Sequence, residues 1–552
     1  MAATRNLAIL AIGVAALCGS ATLVPASAQS AAALAGHVSS AEEGMMEGVV
    51  VSARKDGSTV TYSVVSDDQG HFSFPASKLD PGHYTLAARA VGYDLDGPTS
   101  VDVTSGAPAD ADMKLKKTKN LSHQLTNAEW MLSVPGTEEQ KTSLINCVSC
   151  HTNERIVKST HDADEFVQVL TRMANYAQVS QPIKPQVRME HSRAANPEKF
   201  RKTAEWLASI NMSEGPWQYA LKTLPRVKGR GTHVLITEYD LPRKTIEPHD
   251  VIVDAQGTVW YSNFAEEFLG RLDQKTGRTA EYPLPEFKKG FPTGSLDLEF
   301  DKEGKIWLGM MYQGGITQFD PKTEKFKFWQ VPAPRNREDT QLNMITMNFD
   351  VDGKVWVNDA GPSTIFRVDL KSGQFEEFDP LKDLPGGHGA HSIYDIAADS
   401  QNNLYVTDFI QNYIQKIDAK TGQVTSYQAP TPFSRNRRAN MDEQNRLWFA
   451  EYRGNKIGMF DTKAETFKEW PLPTPHTHPY DVVWDKNGEL WTGGMTTDRV
   501  VRLDPKTGTA VEYPLPRDTN MRRMFVDNST TPPTFWVGSN HGASIVKVEP
   551  LD

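Results

Sequence analysis

The chain has 552 residues, with 59 lysines and arginines against 69 aspartates and glutamates, a formal charge of -10. That length exceeds one ordinary hydrophobic core, so two to four domains are expected. The acidic balance argues against nucleic acid as the main partner.

Arg5, the apolar run from Leu7 to Leu17 and the triplet Ala26-Ser27-Ala28 give a charged start, a short hydrophobic stretch and a small-residue cleavage site. Residues 1–28 are therefore predicted to be a signal peptide, with the periplasm as destination. The run is too short to span a bilayer, and no other segment approaches spanning length, so no transmembrane segment is expected after cleavage. A lipid anchor at Cys18 would need a small residue before it, where Leu17 stands. Cleavage leaves Cys147 and Cys150, too few cysteines for a disulfide framework.

Residues 33–116 alternate with period two. Gly48 to Val51, Thr59 to Tyr62, His71 to Phe74 and Tyr84 to Ala88 read as strands, separated by turn signals such as Asp80-Pro81-Gly82. This predicts a small β-sandwich. The run "DDQGHFSFPASKLDPGHYTLAARAVGY" resembles the carboxypeptidase regulatory-like modules, which implies a binding or spacer unit without chemistry of its own.

A basic linker, "KLKKTK" at 114–119, leads into helical periodicity over Leu125 to Leu132, Thr137 to Cys147, Ala163 to Ala177 and Pro197 to Asn211. Phe166, Val169, Leu170 and Met173 form one apolar stripe, which places Met173 in the core. Within this stretch Cys147-Val148-Ser149-Cys150-His151 has the C-x-x-C-H spacing of covalent haem attachment. The two thiols would form thioethers and His151 would be the proximal iron ligand. A thioredoxin-like dithiol would need a βαβ setting that the sequence lacks. An all-α unit over 120–213, with this motif near its start and "FRKTAEWLASI" at its end, resembles a class I cytochrome c. The resemblance implies one c-type haem with a methionine opposite the histidine. Met189, a short loop ahead of the last helix, is the favoured ligand; Met173, His191 and an open position are the alternatives.

From residue 232 to the C-terminus the texture becomes strands that repeat every 42 to 49 residues. Asp254, Asp301, Asp350, Asp399, Asp442, Asp485 and Asp527 close successive first strands. An apolar-aromatic pair such as Val259-Trp260 or Leu447-Trp448 follows each. Four strands per unit and seven units predict a seven-bladed β-propeller. "TEYDLP" at 237–242 reads as a fourth strand without a blade, and the last blade lacks one, so the N-terminal piece is expected to close the ring. The whole chain is thus predicted to be mainly β and multidomain: sandwich, small all-α domain and propeller.

Strand direction puts the starts of the first strands and the ends of the second strands on one rim. His249, His388, His391, His476, His478 and His541 gather there, with Tyr480 and the pairs Arg437-Arg438 and Arg522-Arg523. Candidate catalytic residues are His249, His391, His478, Arg437, Arg522 and Tyr480. The arginines would suit an anionic substrate, because a guanidinium pairs bidentately with carboxylate or phosphate. His391 with Asp408, or His478 with Glu451, would be the places for a divalent cation such as Mg²⁺ or Ca²⁺.

"NRLWFAEYRGNKIGMFD" and "EWPLPTPHTHPYDVVWD" resemble the streptogramin B lyase (virginiamycin B lyase) propellers. In that family a Pro-His stands fourteen residues before a glutamate in W-F-T-E, the histidine acting as base and the glutamate helping to hold Mg²⁺. Here Pro248-His249 has Asn263 at that offset, and Glu451 has Arg437. Three readings follow. The first is a haem-linked oxidoreductase or electron-transfer component that binds a small organic substrate and exchanges electrons with another cytochrome or a membrane oxidase. The second is a Mg²⁺-dependent lyase. The third is a haem-bearing sensor or binding protein without turnover.

Overall fold

The computed structural model describes residues 32–189, 197–212 and 217–552. The expected signal peptide and His191 lie outside them. No helix among the described residues is long and apolar enough to cross a membrane.

The repeat unit seen in the sequence is a four-stranded antiparallel sheet. Six such sheets follow one another from Pro248 to Pro514, and a seventh blade is built from Met521–Asp527, Thr534–Ser539, Ser544–Pro550 and Val234–Asp240. The strand before the first blade therefore closes the ring, as expected. The recurring aspartate and tryptophan have a shared physical cause. Asp254, Asp301, Asp442 and Asp485 each accept two backbone N–H bonds across the turn through one oxygen. The other oxygen accepts the indole N–H of Trp260, Trp307, Trp448 or Trp491 at 2.9–3.0 Å. One carboxylate thus satisfies a tight turn and a buried indole donor together.

Residues 32–117 form the predicted sandwich around Leu34, Val38, Val51, Phe72, Phe74 and Leu86. One of its sheets does not end at the module boundary. Val60–Val65 pairs with Val234–Asp240 from Leu235 to Tyr239, giving one eight-stranded sheet shared by sandwich and seventh blade. Both edges of Val234–Asp240 are consequently hydrogen-bonded.

Between them the described residues form five α-helices: α1 (Asn127–Ser133), α2 (Glu138–Ser143), α3 (Glu154–Val157), α4 (Ala163–Ala174) and α5 (Pro197–Ile210). Capping boxes start α1, α2 and α4, with Thr126, Thr137 and Asp162 as N-caps. α4 ends earlier than its periodicity suggested. Its buried face is Phe166 and Val167, and Met173 is 37% exposed, so the stripe expected to bury Met173 is displaced by one residue. The core of these helices, with Trp130, Met131, Leu144, Val148 and Leu207, merges with Tyr452, Tyr480 and Met495 of the propeller. The helical unit therefore sits on the mouth of the ring.

Candidate functional site

Each blade sends its first strand along the central axis, and six of the seven carry a register shift near its start. Such a bulge re-aims consecutive side chains inward. The equivalent pairs are His249-Asp250, Leu296-Asp297, Asn343-Met344, Tyr394-Asp395, Arg437-Arg438, Tyr480-Asp481 and Arg522-Arg523. The first member of every pair lines one cavity of about 270 Å³ at the mouth.

The second members, apart from Met344, which also lines the cavity, lie deeper and close the axis. Arg438 donates to Asp297 at 2.6 Å and Asp250 at 3.1 Å, with Asp395 at 3.5 Å. Arg523 donates to Asp297 at 2.5 Å and also to Glu299. Asp250, Asp297, Asp395 and Asp481 each accept a backbone N–H from the next blade, at Asp297, Ile345, Ala439 and Met524. These carboxylates stitch neighbouring blades. Arg438 and Arg523, expected on the rim for substrate, are instead spent inside this network.

A directed hydrogen-bond chain runs from the network to the cavity. Asp250 accepts from Ser262 Oγ at 2.6 Å and lies 2.9 Å from His249 Nδ1. With Nδ1 donating to that carboxylate, Nε2 accepts from the Tyr480 hydroxyl at 2.9 Å. The Tyr394 hydroxyl donates to Tyr480 at 2.6 Å. Burial pushes the His249 imidazole down to about 4, so it is neutral near pH 7 and its Nε2 can accept the Tyr480 hydrogen bond.

Arg437 is 7% exposed and stands among the rings of Tyr452, Tyr480, Tyr394 and Phe409, 3.9 to 5.1 Å from their centroids. Among the described residues its one hydrogen bond goes to the sulfur of Met495 at 3.2 Å, and Nε has no partner. Arg522 is used differently from expectation. It donates to Asn520 at 2.8 Å and to the Ser149 carbonyl at 2.9 Å.

That last contact joins the C-x-x-C-H segment to the mouth. The Val148 carbonyl accepts from Asn520 at 2.7 Å and lies 3.0 Å from His541 Nε2. Ser149 lines the mouth cavity together with Arg188, the neighbour of Met189. After α4 the chain crosses blades 1 and 2, where Gln186 donates to Ala265 and Thr293. Cys147 and Cys150 are unpaired, half-buried thiols. Burial raises them to about 12 and about 11, which does not suit a reactive dithiol. His151 Nδ1 donates to the Thr152 carbonyl at 2.9 Å, leaving Nε2 for an axial bond, and burial favours its neutral form. This donor set fits covalent haem.

The remaining rim candidates separate. His391 Nδ1 is 2.5 Å from Asp408, and its Nε2 meets the Pro385 carbonyl at 3.1 Å. Asp408 also accepts backbone N–H bonds from Ser392, Ile410 and Gln411. This pair braces a loop and has no capacity left for a cation. His478 Nδ1 donates to the Tyr452 carbonyl at 2.8 Å. Burial and the neighbouring Glu469 push Glu451 up to about 8, and both its oxygens and His478 Nε2 are buried without a hydrogen-bond partner among the described residues. No cluster of three or more His, Cys, Asp or Glu side chains placed to hold a metal occurs among the described residues. His388 pairs with Asp379 on the surface. Tyr394 and Asp250 were not singled out from the sequence. Their signal was the recurring apolar-or-aromatic residue followed by aspartate at the same blade position.

Buried carboxyls set an expected pH response. Burial raises Glu247 and Glu267 to about 8 and Asp359 to about 7. Their folded pKa exceeds the unfolded value, so between roughly pH 4 and 8 the folded state holds more protons and stability falls as pH rises. Denaturant titration is expected to give a higher unfolding midpoint at pH 5 than at pH 8.

Residues 385–551 match the Virginiamycin B lyase family, and residues 33–116 match the Carboxypeptidase regulatory-like domain. No curated protein matches the chain. A crystal structure of selenomethionine-substituted virginiamycin B lyase from Staphylococcus aureus is similar at 23% identity and a TM-score of 0.48, covering 57% of this chain and 98% of that one. The extracellular domain of a one-component system from B. thetaiotaomicron is similar at 18% identity and a TM-score of 0.42, covering 55% of this chain and 40% of that one. The two halves of the lyase pattern stand in different blades. Pro248 pairs with Asn263 in the first, and Asn436 pairs with Glu451 in the fifth.

Proposed function

We propose that the chain is an exported c-type haem protein that oxidises a small organic substrate at the propeller mouth and passes electrons to a periplasmic partner, another cytochrome or a membrane oxidase. The observation that carries this reading is the docking of Val148 and Ser149 on Asn520, Arg522 and His541, with Ser149 in the wall of the mouth cavity. Cys147 and Cys150 would carry the thioethers, His151 would be the proximal ligand, and Met189 is the candidate for the opposite side. Haem would supply one-electron chemistry, while the propeller binds and orients the substrate. An anaerobic absorption spectrum of the exported protein tests this, recorded as organic acids, alcohols and aromatics are added. Growth of a sharp α-band with one of them is expected. Reduction by dithionite alone, with none of the compounds active, would count against it.

The family match over residues 385–551 favours a second reading, a lyase. That reading requires activity that depends on Mg²⁺ and not on haem. Full activity in the presence of a chelator would remove it.

A further inference from the structure

In the wall of the mouth cavity the buried guanidinium of Arg437 is poorly satisfied, with a single hydrogen bond to sulfur among the described residues and Nε unpartnered. A charge taken out of water is stable only when it is paired or hydrogen-bonded, and the penalty for leaving it alone is several kcal/mol. Aromatic faces recover part of that penalty. The rings around Arg437 do so here, but no carboxylate among the described residues reaches it. Among the described residues, three arginines, Arg188, Arg437 and Arg522, line the cavity and no aspartate or glutamate does. The carboxylates of the axis lie one residue deeper, committed to Arg438 and Arg523.

Beside this cation Tyr394 also lines the cavity. Its proton is directed at Tyr480, so its oxygen lone pairs are free to accept from a ligand hydroxyl. Behind it the order is Tyr480, His249 and Asp250.

We infer that the mouth binds a small hydroxylated carboxylate, with its carboxylate on Arg437 and its hydroxyl donating to the Tyr394 oxygen, which Tyr480, His249 and Asp250 hold in place by their hydrogen bonds. The inference deepens the reading of the mouth as the substrate site and rests on it.

The test is calorimetric binding to the full-length, haem-loaded protein, using 4-hydroxybenzoate, benzoate, lactate and their amides. The carboxylates are expected to bind roughly thirtyfold or more tightly than the amides, the scale for a buried charge pair that loses one partner. Arg437→Gln should erase that preference. Tyr394→Phe, which keeps the ring and its packing, should bring 4-hydroxybenzoate down to the affinity of benzoate. Carboxylates and amides binding alike, or no carboxylate binding at all, overturns the inference, and the wild-type protein alone decides this if Arg437→Gln does not fold. Binding is read without reference to electron transfer, so the two proposals can fail separately. A haem that no compound reduces, beside a clear carboxylate preference, removes only the oxidoreductase reading. Reduction by neutral compounds without any preference removes only this one.

Discussion

On the proposed haem reading, replacing Cys147 and Cys150 together with alanine is expected to abolish covalently held haem while leaving the fold in place. The proposed thioether bonds would require the two sulfurs, and nothing else could substitute for them. The fold should survive because the propeller grips this segment by main-chain atoms. Asn520, Arg522 and His541 all address the carbonyls of Val148 and Ser149, which alanine leaves unchanged. The apolar packing of Val148 and Leu144 is untouched as well. The measurement is haem staining after denaturing electrophoresis, alongside circular dichroism of the purified variant. Wild type should hold a haem that survives denaturation and the double variant none, with matching spectra in the far ultraviolet. Equal staining of both, or of neither, would defeat the haem assignment.

Arg438→Ala is expected to lower stability more than any other single change at the mouth, by about 3–5 kcal/mol, the usual result of removing one partner from a buried ion cluster. Arg438 is 2% exposed and stands between Asp250, Asp297 and Asp395. Without it three carboxylates from different blades face one another across the axis. They can relieve the repulsion only by taking up protons, which raises their folded pKa above the unfolded value. The sign follows directly: the variant should lose most above roughly pH 4, and its deficit against wild type should widen as pH rises. Unfolding by denaturant at pH 5 and pH 8 reads both quantities. A deficit that is small, or that shrinks with pH, would show that Arg523 alone neutralises the cluster.

The architecture was legible where a local rule repeats. The aspartate that takes a turn and an indole together recurs, so the blades could be counted, and the unpaired "TEYDLP" strand showed where the ring closes. His249, Arg437, Tyr480 and Arg522 were legible as mouth residues because strand polarity places them there. The division of labour between neighbours was not. Arg437 and Arg438 look alike in sequence, but consecutive positions sit at different depths on the axis, one in the cavity and one among aspartates. His391 and Asp408 looked like cation ligands because the same side chains that bind metal also brace loops, and only the distances separate the two uses. The shared sheet had no signature either. Pairing of Val60–Val65 with Val234–Asp240 joins segments far apart in sequence, and neither strand differs in composition from an ordinary edge.

That shared sheet bears on the order in which the chain can assemble. Val234–Asp240 leaves the ribosome some three hundred residues before Ser544–Pro550, its partner in the seventh blade. An unpaired strand waiting that long is a template for wrong pairing. Val60–Val65 is synthesised earlier and is already part of a sandwich when Val234–Asp240 emerges. It can take up one edge of the waiting strand at once and hold it in register while the other six blades are made. The sandwich then works as a scaffold for ring closure, and the last step of folding is the arrival of the C-terminal strand at an edge kept open for it.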